Sequence, residues 1–157
     1  MRLFTLERSQ HLNITLETAW DFFSNPRNLP LITPDWLDFK ITNRIPTKMH
    51  KGMIISYRLK TVWGLPTNWV TEITHVDAPV FFVDEMRSGA YRFWHHQHRF
   101  IEMDAGIEVL DTINYALKLG WFGQILHDMI IRTRLNEIFD YRQKALESRF
   151  GNNRQPP

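Results

Sequence analysis

A series of short strand-like segments followed by one long helical segment is the feature that most restricts the fold of this 157-residue chain. Between residues 37 and 117, apolar residues alternate in segments separated by glycine, proline, aspartate and serine, as in an antiparallel meander. From Gly120 to about Phe150 there is no proline, and apolar residues recur at helical spacing, which predicts a helix of roughly eight turns. Arg142 is expected on the polar face of this helix. Because a single long helix can cover the apolar face of a curved sheet, the sequence predicts an α+β fold wrapped around its C-terminal helix.

The other predicted elements follow from turn residues and helix caps. A first strand is predicted at Leu3 to Leu12, and Thr15 is expected to cap a short helix that ends near Asn25, before Pro26. A second short helix or turn is predicted at Pro26 to Ile32. Six further strands are predicted at Leu37 to Arg44, Met53 to Val62, Thr67 to Val76, Phe81 to Arg87, Tyr91 to Met103 and Ile107 to Leu117. Residues 1–150 are therefore expected to form one domain with about seven strands, and residues 151–157 a disordered tail.

Charge and composition argue against several classes of function. Lys and Arg number 19 against 17 Asp and Glu, without a clustered basic tract, so nucleic-acid binding is not expected. The chain has no cysteine, which excludes a disulfide framework and a thiolate metal site and is compatible with the predicted cytoplasmic location. No segment is apolar for 18 residues, so no transmembrane helix is predicted. Phosphate-binding loops, nucleophile elbows and zinc-protease motifs are also missing from the sequence. Asp84 and Glu85 are adjacent in a predicted strand and point apart, which makes them poor acid/base partners.

The segment from Tyr91 to Phe100 contains three of the seven histidines. Side chains alternate along a strand, so Trp94, His96 and His98 are expected on the face of Phe100, and His95 on the other face. Two imidazoles between large aromatic rings suit the wall of a cavity better than a dry core or a solvated surface. The segment therefore predicts a binding site.

Two hairpin loops predict what surrounds these histidines. A two-residue loop at Asp104 and Ala105 pairs His98 with Asp111, which places the two Cβ atoms about 5 Å apart. The same register pairs His96 with Ile113, Trp94 with Tyr115 and Phe100 with Val109. A two-residue loop at Ser88 and Gly89 pairs Val83 with Trp94 and Phe81 with His96. The complete predicted ligand-binding set is Tyr57, Trp69, Phe81, Val83, Trp94, His96, His98, Asp111, Ile113, Tyr115 and Met129.

The polar part of this set has several interpretations. His96, His98 and Asp111 form either a buried structural network, a ligand contact, or the proton-transfer groups of an enzyme. Two histidines and a facing aspartate also offer three metal ligands, but His95 points away and no further ligand is identifiable. The sequence therefore predicts no metal and no other cofactor.

The aromatic residues outside this strand also allow two interpretations. Tyr57 and Trp69 lie on alternating apolar faces of the middle strands, where they either pack the core or line a cavity. Met129 falls mid-length in the long helix, where that helix is expected to close the cavity or to anchor on the sheet. Trp36 and Trp63 lie in loops, at an entrance to the cavity or on a surface for a partner protein.

Four stretches of the sequence resemble a known superfamily. They are Asp-Phe-Phe-Ser-Asn-Pro-Arg-Asn-Leu-Pro (21–30), Ile-Thr-Pro-Asp-Trp-Leu (32–37), Trp-His-His-Gln-His-Arg-Phe (94–100) and Phe-Asp-Tyr-Arg (139–142). Together with the order of elements, they resemble the START-like, or Bet v 1-like, helix-grip superfamily, and within it bacterial SRPBCC proteins of the polyketide cyclase/dehydrase-like kind. The resemblance implies two short helices after the first strand and a cavity between sheet and helix. It implies no shared catalytic residues.

The expected function is non-catalytic binding of a small hydrophobic or aromatic molecule in that cavity. The first alternative is a cyclase, dehydratase or hydrolase that uses His96 or His98 as a proton shuttle. The second is a protein interaction module that docks through Trp36 and Trp63. A homodimer is a further expectation for the assembly.

Overall fold

The structure, a computed structural model, describes residues 2–61, 64–118 and 130–151. Within these ranges one antiparallel sheet contains β1 (Phe4–Leu12), β2 (Lys40–Ile41), β3 (Ile54–Lys60), β4 (Pro66–Asp77), β5 (Phe81–Ser88), β6 (Phe93–Glu102) and β7 (Ile107–Ala116). Its strand order is β1-β7-β6-β5-β4-β3-β2. The helices are α1 (Leu16–Phe23), two 3-10 helices (Pro26–Ile32 and Asp35–Leu37) and the C-terminal α2 (Arg132–Phe150). The predicted α+β helix-grip fold is confirmed.

Helix α1 begins where the sequence predicts it. The Thr15 hydroxyl oxygen accepts a hydrogen bond from the Thr18 N–H at 3.2 Å, which satisfies one of the free amide groups of the first turn. The helix ends at Phe23, and Pro26 then opens the first 3-10 helix, where the Asn25 side chain accepts from the Arg27 N–H. These two helices connect the edge strand β1 to the far edge of the sheet.

The predicted strand from Leu37 to Arg44 is wrong for most of its length. Leu37 ends a 3-10 helix, and Asp38 follows in the left-handed region with a φ of 44°, which turns the chain. Only Lys40 and Ile41 then pair with β3. The predicted next strand ended at Val62, which lies outside the described residues, as does Trp63.

The hairpin of β6 and β7 has the predicted register. The Met103 N–H donates to the Gly106 carbonyl at 3.0 Å, so Asp104 and Ala105 form the two-residue loop. His98 is paired with Asp111, His96 with Ile113 and Trp94 with Tyr115, as expected. Gly106 has a φ of +91°, and a Cβ atom here would collide with the Leu12 carbonyl, so the turn requires glycine.

The predicted register of β5 on β6 is wrong. Phe82 pairs with His98 and Asp84 pairs with His96, whereas the sequence placed Phe81 opposite His96. The reason is the connection at residues 89–92, which is longer than the expected two-residue loop. Tyr91 in this connection is buried, with its ring centroid 5.7 Å from that of Trp69 and 4.9 Å from that of Trp94. Burial of Tyr91 therefore takes the place of strand pairing at residues 89–92. The register of β5 on β6 differs from the predicted one by an odd number of residues, so the inner and outer faces of β5 are exchanged.

Helix α2 covers the concave face of the sheet. Its buried residues are Leu135, Phe139, Arg142 and Leu146, at helical spacing along one side. Arg142 was predicted on the polar face and is in fact buried. The predicted start of this helix at Gly120 and the predicted lining residue Met129 lie outside the described residues. No helix in the described part of the chain is both long enough and apolar enough to cross a lipid bilayer.

Candidate functional site

A cavity of about 280 Å³ lies between the inner face of the sheet and α2. Such a volume lies near the lower end of the range for small-molecule pockets. Its walls are mainly apolar and come from α1, the first 3-10 helix, the middle strands, and α2 with the residue before it. They include Phe22, Leu29, Ile55, Leu59, Ile73, Phe82, Ile131, Leu135 and Phe139. The cavity exists because a curved sheet and a straight helix cannot be in contact along their whole length.

Five residues of the predicted ligand-binding set line this cavity: Tyr57, Trp69, Trp94, His96 and His98. Tyr57 is paired with Trp69 across β3 and β4, on the predicted inner face. The Trp69 indole N–H donates to the Thr71 hydroxyl at 2.9 Å, so its polar tip is satisfied without a ligand. Burial, together with the charge of Asp84, raises the pKa of Tyr57, so its hydroxyl stays neutral.

The other predicted residues that the structure describes lie elsewhere. Phe81 pairs with Arg99 and Val83 pairs with Gln97, so both lie on the outer face of β5. The predicted register had placed them on the inner face. Ile113 and Tyr115 belong to a buried aromatic core cluster and are not among the described residues that line the cavity. Asp111 is buried behind the two histidines.

Three buried side chains and the partly buried Asp84 form what we call the Asp/His cluster: Asp84, His96, His98 and Asp111. Nε2 of His96 lies 2.9 Å from Oδ1 of Asp111, and Nε2 of His98 lies 2.8 Å from Oδ2 of Asp84. Two further approaches complete the cluster, from His96 Nδ1 to Asp84 Oδ2 at 3.4 Å and from His98 Nδ1 to Asp111 Oδ1 at 2.9 Å. The last is close but is not aligned as a hydrogen bond, so Nδ1 of His98 has no well-oriented partner. Each imidazole therefore lies between the same two carboxylates.

Aromatic rings hold the two imidazoles in place. The His98 ring is stacked on Phe82 with centroids 4.1 Å apart and an interplanar angle of 17°. The His96 ring contacts Phe139 of α2 edge-on at 6.0 Å, and the two imidazole centroids are 3.8 Å apart. Asp84, His96 and His98 border the cavity, whereas Asp111 borders a small crevice between β1 and α2. The cluster thus forms a polar section of an otherwise apolar wall.

No family model and no curated protein sequence matches this chain. Solved structures do. The ginseng major latex-like protein 151 from Panax ginseng is 13% identical with a TM-score of 0.68, covering 94% of this chain and 97% of that one. A protein from Thermus thermophilus is 16% identical with a TM-score of 0.66, covering 95% and 97%. Norcoclaurine synthase from Thalictrum, solved with a transition state analogue, is 15% identical with a TM-score of 0.64, covering 94% and 96%. The chain has the Bet v 1-like fold.

In this Bet v 1-like fold the Asp/His cluster keeps both carboxylates ionised. Burial alone raises the pKa of Asp111, but the hydrogen bond from His96 and the close approach of His98 hold that pKa well below its usual range. Burial likewise opposes ionisation of Asp84, and the charge of His96 with the His98 hydrogen bond lowers its pKa on balance. Burial and the neighbouring charge of His98 lower the pKa of His96. Burial lowers the pKa of His98, but the close Asp111 carboxylate and the hydrogen bond to Asp84 outweigh it, so that this pKa is raised. The two histidines therefore differ in pKa, and the additional proton that makes an imidazole cationic is favoured on His98 rather than on His96.

Arg142 connects the cluster to α2. Its guanidinium lies 3.8 Å from Oδ2 of Asp111 and packs 4.7 Å from the centre of the Phe139 ring. Its Nε is buried without a hydrogen-bond partner. Within the described part of the chain, Asp111 forms the one ion pair with this cation, which is almost fully removed from water, so Asp111 is the main group there that compensates its charge.

Sequence reasoning missed several apolar wall residues and, in the polar section of the site, the charged residues Asp84 and Arg142. Asp84 was considered only beside Glu85, whose side chain points the other way, and the wrong β5 register placed it on the outer face. Arg142 was assigned to the polar face by its charge, although its spacing of three from Phe139 and four from Leu146 fits the buried stripe. Spacing was the signal that could have found it.

Proposed function

We propose that this protein binds a small, largely apolar molecule in the cavity between sheet and helix α2. The observation that carries the proposal is an apolar hollow of about 280 Å³ with one polar section, the Asp/His cluster. Apolar walls supply affinity and a few polar groups fix orientation in small-molecule sites. The Thalictrum structure with its transition state analogue supports small-molecule binding as a use of this fold.

Catalysis by a cavity histidine is the second candidate, because His96 and His98 border the cavity beside carboxylates. The geometry favours binding over this candidate. All four ring nitrogens approach Asp84 or Asp111, so a proton shuttle must first exchange one of these contacts for the substrate. A general base needs a nitrogen within hydrogen-bond reach of the substrate proton.

Docking of a partner protein is less well supported. Trp36 is exposed to 38%, but the Arg134 guanidinium of α2 lies 5.6 Å from the centre of its ring. The cavity between the sheet and α2 is not filled by side chains. A module that only docks partners gains nothing from such an unfilled core. Cytoplasmic location and a homodimer stay predictions, which cell fractionation and light scattering test.

The first experiment is native mass spectrometry of the purified protein, followed by solvent extraction of what it retains. We expect an adduct of small-molecule mass that is released on unfolding. A folded protein that carries no adduct and binds no member of a library of lipids and aromatic compounds contradicts the proposal.

The second experiment places the ligand. Leu59→Trp adds a ring at a half-buried cavity residue of β3, and Ile54→Trp adds the same ring on the exposed face of the same strand. We expect Leu59→Trp to weaken binding more than tenfold because the added ring occupies ligand volume, and Ile54→Trp to leave affinity unchanged. Equal effects of both variants would place the ligand outside the cavity.

A further inference from the structure

We propose that Asp84, His96 and His98 form a binding site for one divalent transition-metal ion at the wall of the cavity. One carboxylate oxygen and one ring nitrogen from each histidine lie within 4.8 Å of one another. The inference goes beyond binding of an apolar molecule and does not depend on it. From the sequence no metal was predicted, because no further ligand was identifiable. The observed register of β5 supplies Asp84 as that ligand.

The spacing of the ligand atoms fits a first-row metal. Oδ2 of Asp84 lies 3.4 Å from Nδ1 of His96 and 2.8 Å from Nε2 of His98. Tetrahedral ligand atoms about 2.0–2.2 Å from a zinc ion are separated by roughly 3.3–3.6 Å, so the His96 separation fits and the His98 separation must lengthen by about 0.5 Å. An ion can therefore replace the proton shared by Asp84 and His98 with only small movements of the side chains.

Asp111 orients His96 for this role and lies close to the ring of His98. Its Oδ1 lies 2.9 Å from Nε2 of His96 and 2.9 Å from Nδ1 of His98. With protons on those two nitrogens, the opposite nitrogens carry lone pairs, and these are the two that approach Asp84. A carboxylate that accepts the far N–H of a metal-bound histidine is a common arrangement, which fixes the tautomer and the ring orientation. Phe82 and Phe139 restrict the same rings by packing.

The ligand set indicates the class of ion. Two imidazoles and one carboxylate suit zinc, cobalt or ferrous iron better than calcium or magnesium, which prefer oxygen alone. Three protein ligands leave at least one coordination position open, as in reactive rather than structural sites. Because all three residues border the cavity, an ion held by them would lie beside the space where the small molecule is proposed to bind.

The test uses the full chain without a histidine tag, stripped with chelator and titrated with Co²⁺ alone. We expect one Co²⁺ per chain, visible absorption bands typical of nitrogen and oxygen ligands, and displacement of Co²⁺ by Zn²⁺. Asp84→Asn and His98→Ala should weaken Co²⁺ binding more than about 100-fold, and Asp111→Asn about 10- to 100-fold. His95→Ala is the matched control, since His95 lies on the same strand and faces away from the cavity toward Glu85.

Folding of each variant is checked by circular dichroism. If His98→Ala does not fold, Asp84→Asn decides, because it is isosteric and Asp84 is the least buried member of the cluster. Absence of stoichiometric Co²⁺ binding by the folded protein overturns the inference, as does undiminished binding by Asp84→Asn or an equal loss in His95→Ala. Since no organic ligand is used, a negative result here leaves binding of an apolar molecule standing.

Discussion

Replacing Asp111 by asparagine should destabilise the protein by about 3–5 kcal/mol, the range for removing one partner of a buried charge pair. The side chain of Asp111 is only 7% exposed, and its oxygens lie 2.9 Å from a nitrogen of each histidine and 3.8 Å from Arg142. Asparagine keeps the shape and one acceptor, but it removes the negative charge that compensates the buried guanidinium. At about 2–4 °C per kcal/mol for a domain of this size, the melting temperature should fall by roughly 6–20 °C.

The assay is urea unfolding followed by far-ultraviolet circular dichroism, in buffer with chelator so that metal binding does not contribute. The control is Glu137→Gln, which breaks an exposed pair with Arg134 whose side chains are each 46% exposed. That change should cost less than about 1 kcal/mol. Arg142→Met in the Asp111→Asn background should restore part of the lost stability, because it removes the uncompensated cation. A loss below about 1 kcal/mol for Asp111→Asn would refute the reasoning that this carboxylate holds the cluster together.

Three further changes test the packing around the site. In urea unfolding, Gly106→Ala should destabilise the protein more than Gly52→Ala. Both glycines have a positive φ, which costs alanine about 1–2 kcal/mol, but of the two only Gly106 faces a backbone carbonyl. Equal losses would contradict this. Thr15→Ala should cost about 1 kcal/mol by loss of the helix cap, and a value near zero would show that the cap is redundant. Phe139→Ala should cost about 3–5 kcal/mol in the same assay, because the ring packs in the core beside His96; less than about 1 kcal/mol would contradict that packing.

The fold could be predicted almost completely from the sequence, because strand alternation, turn residues and the long proline-free helix all agree with one architecture. The β6–β7 pairing could also be predicted, since Asp104, Ala105 and Gly106 allow a tight turn and little else. The strand Leu37 to Arg44 was overpredicted, because its local pattern does not show that Asp38 turns the chain.

The candidate site could be predicted only in part. Asp111 was found because it shares a tight hairpin with His98. Asp84 was missed because its place depends on the loop at residues 89–92, whose length is decided by where Tyr91 is buried. That is a tertiary effect, which no local pattern of β5 contains. Arg142 was missed for a different reason, since its charge was given more weight than its position.

Residues two apart on a strand are separated by roughly 6.6 Å along the backbone, yet the rings of His96 and His98 converge to 3.8 Å. Each carboxylate consequently interacts with both rings, and no single pair within the cluster can be changed without altering the others. Substitutions here should therefore be strongly non-additive, with single changes that each cost nearly as much as a double change. Energies obtained one residue at a time will describe the whole cluster rather than the residue that was replaced.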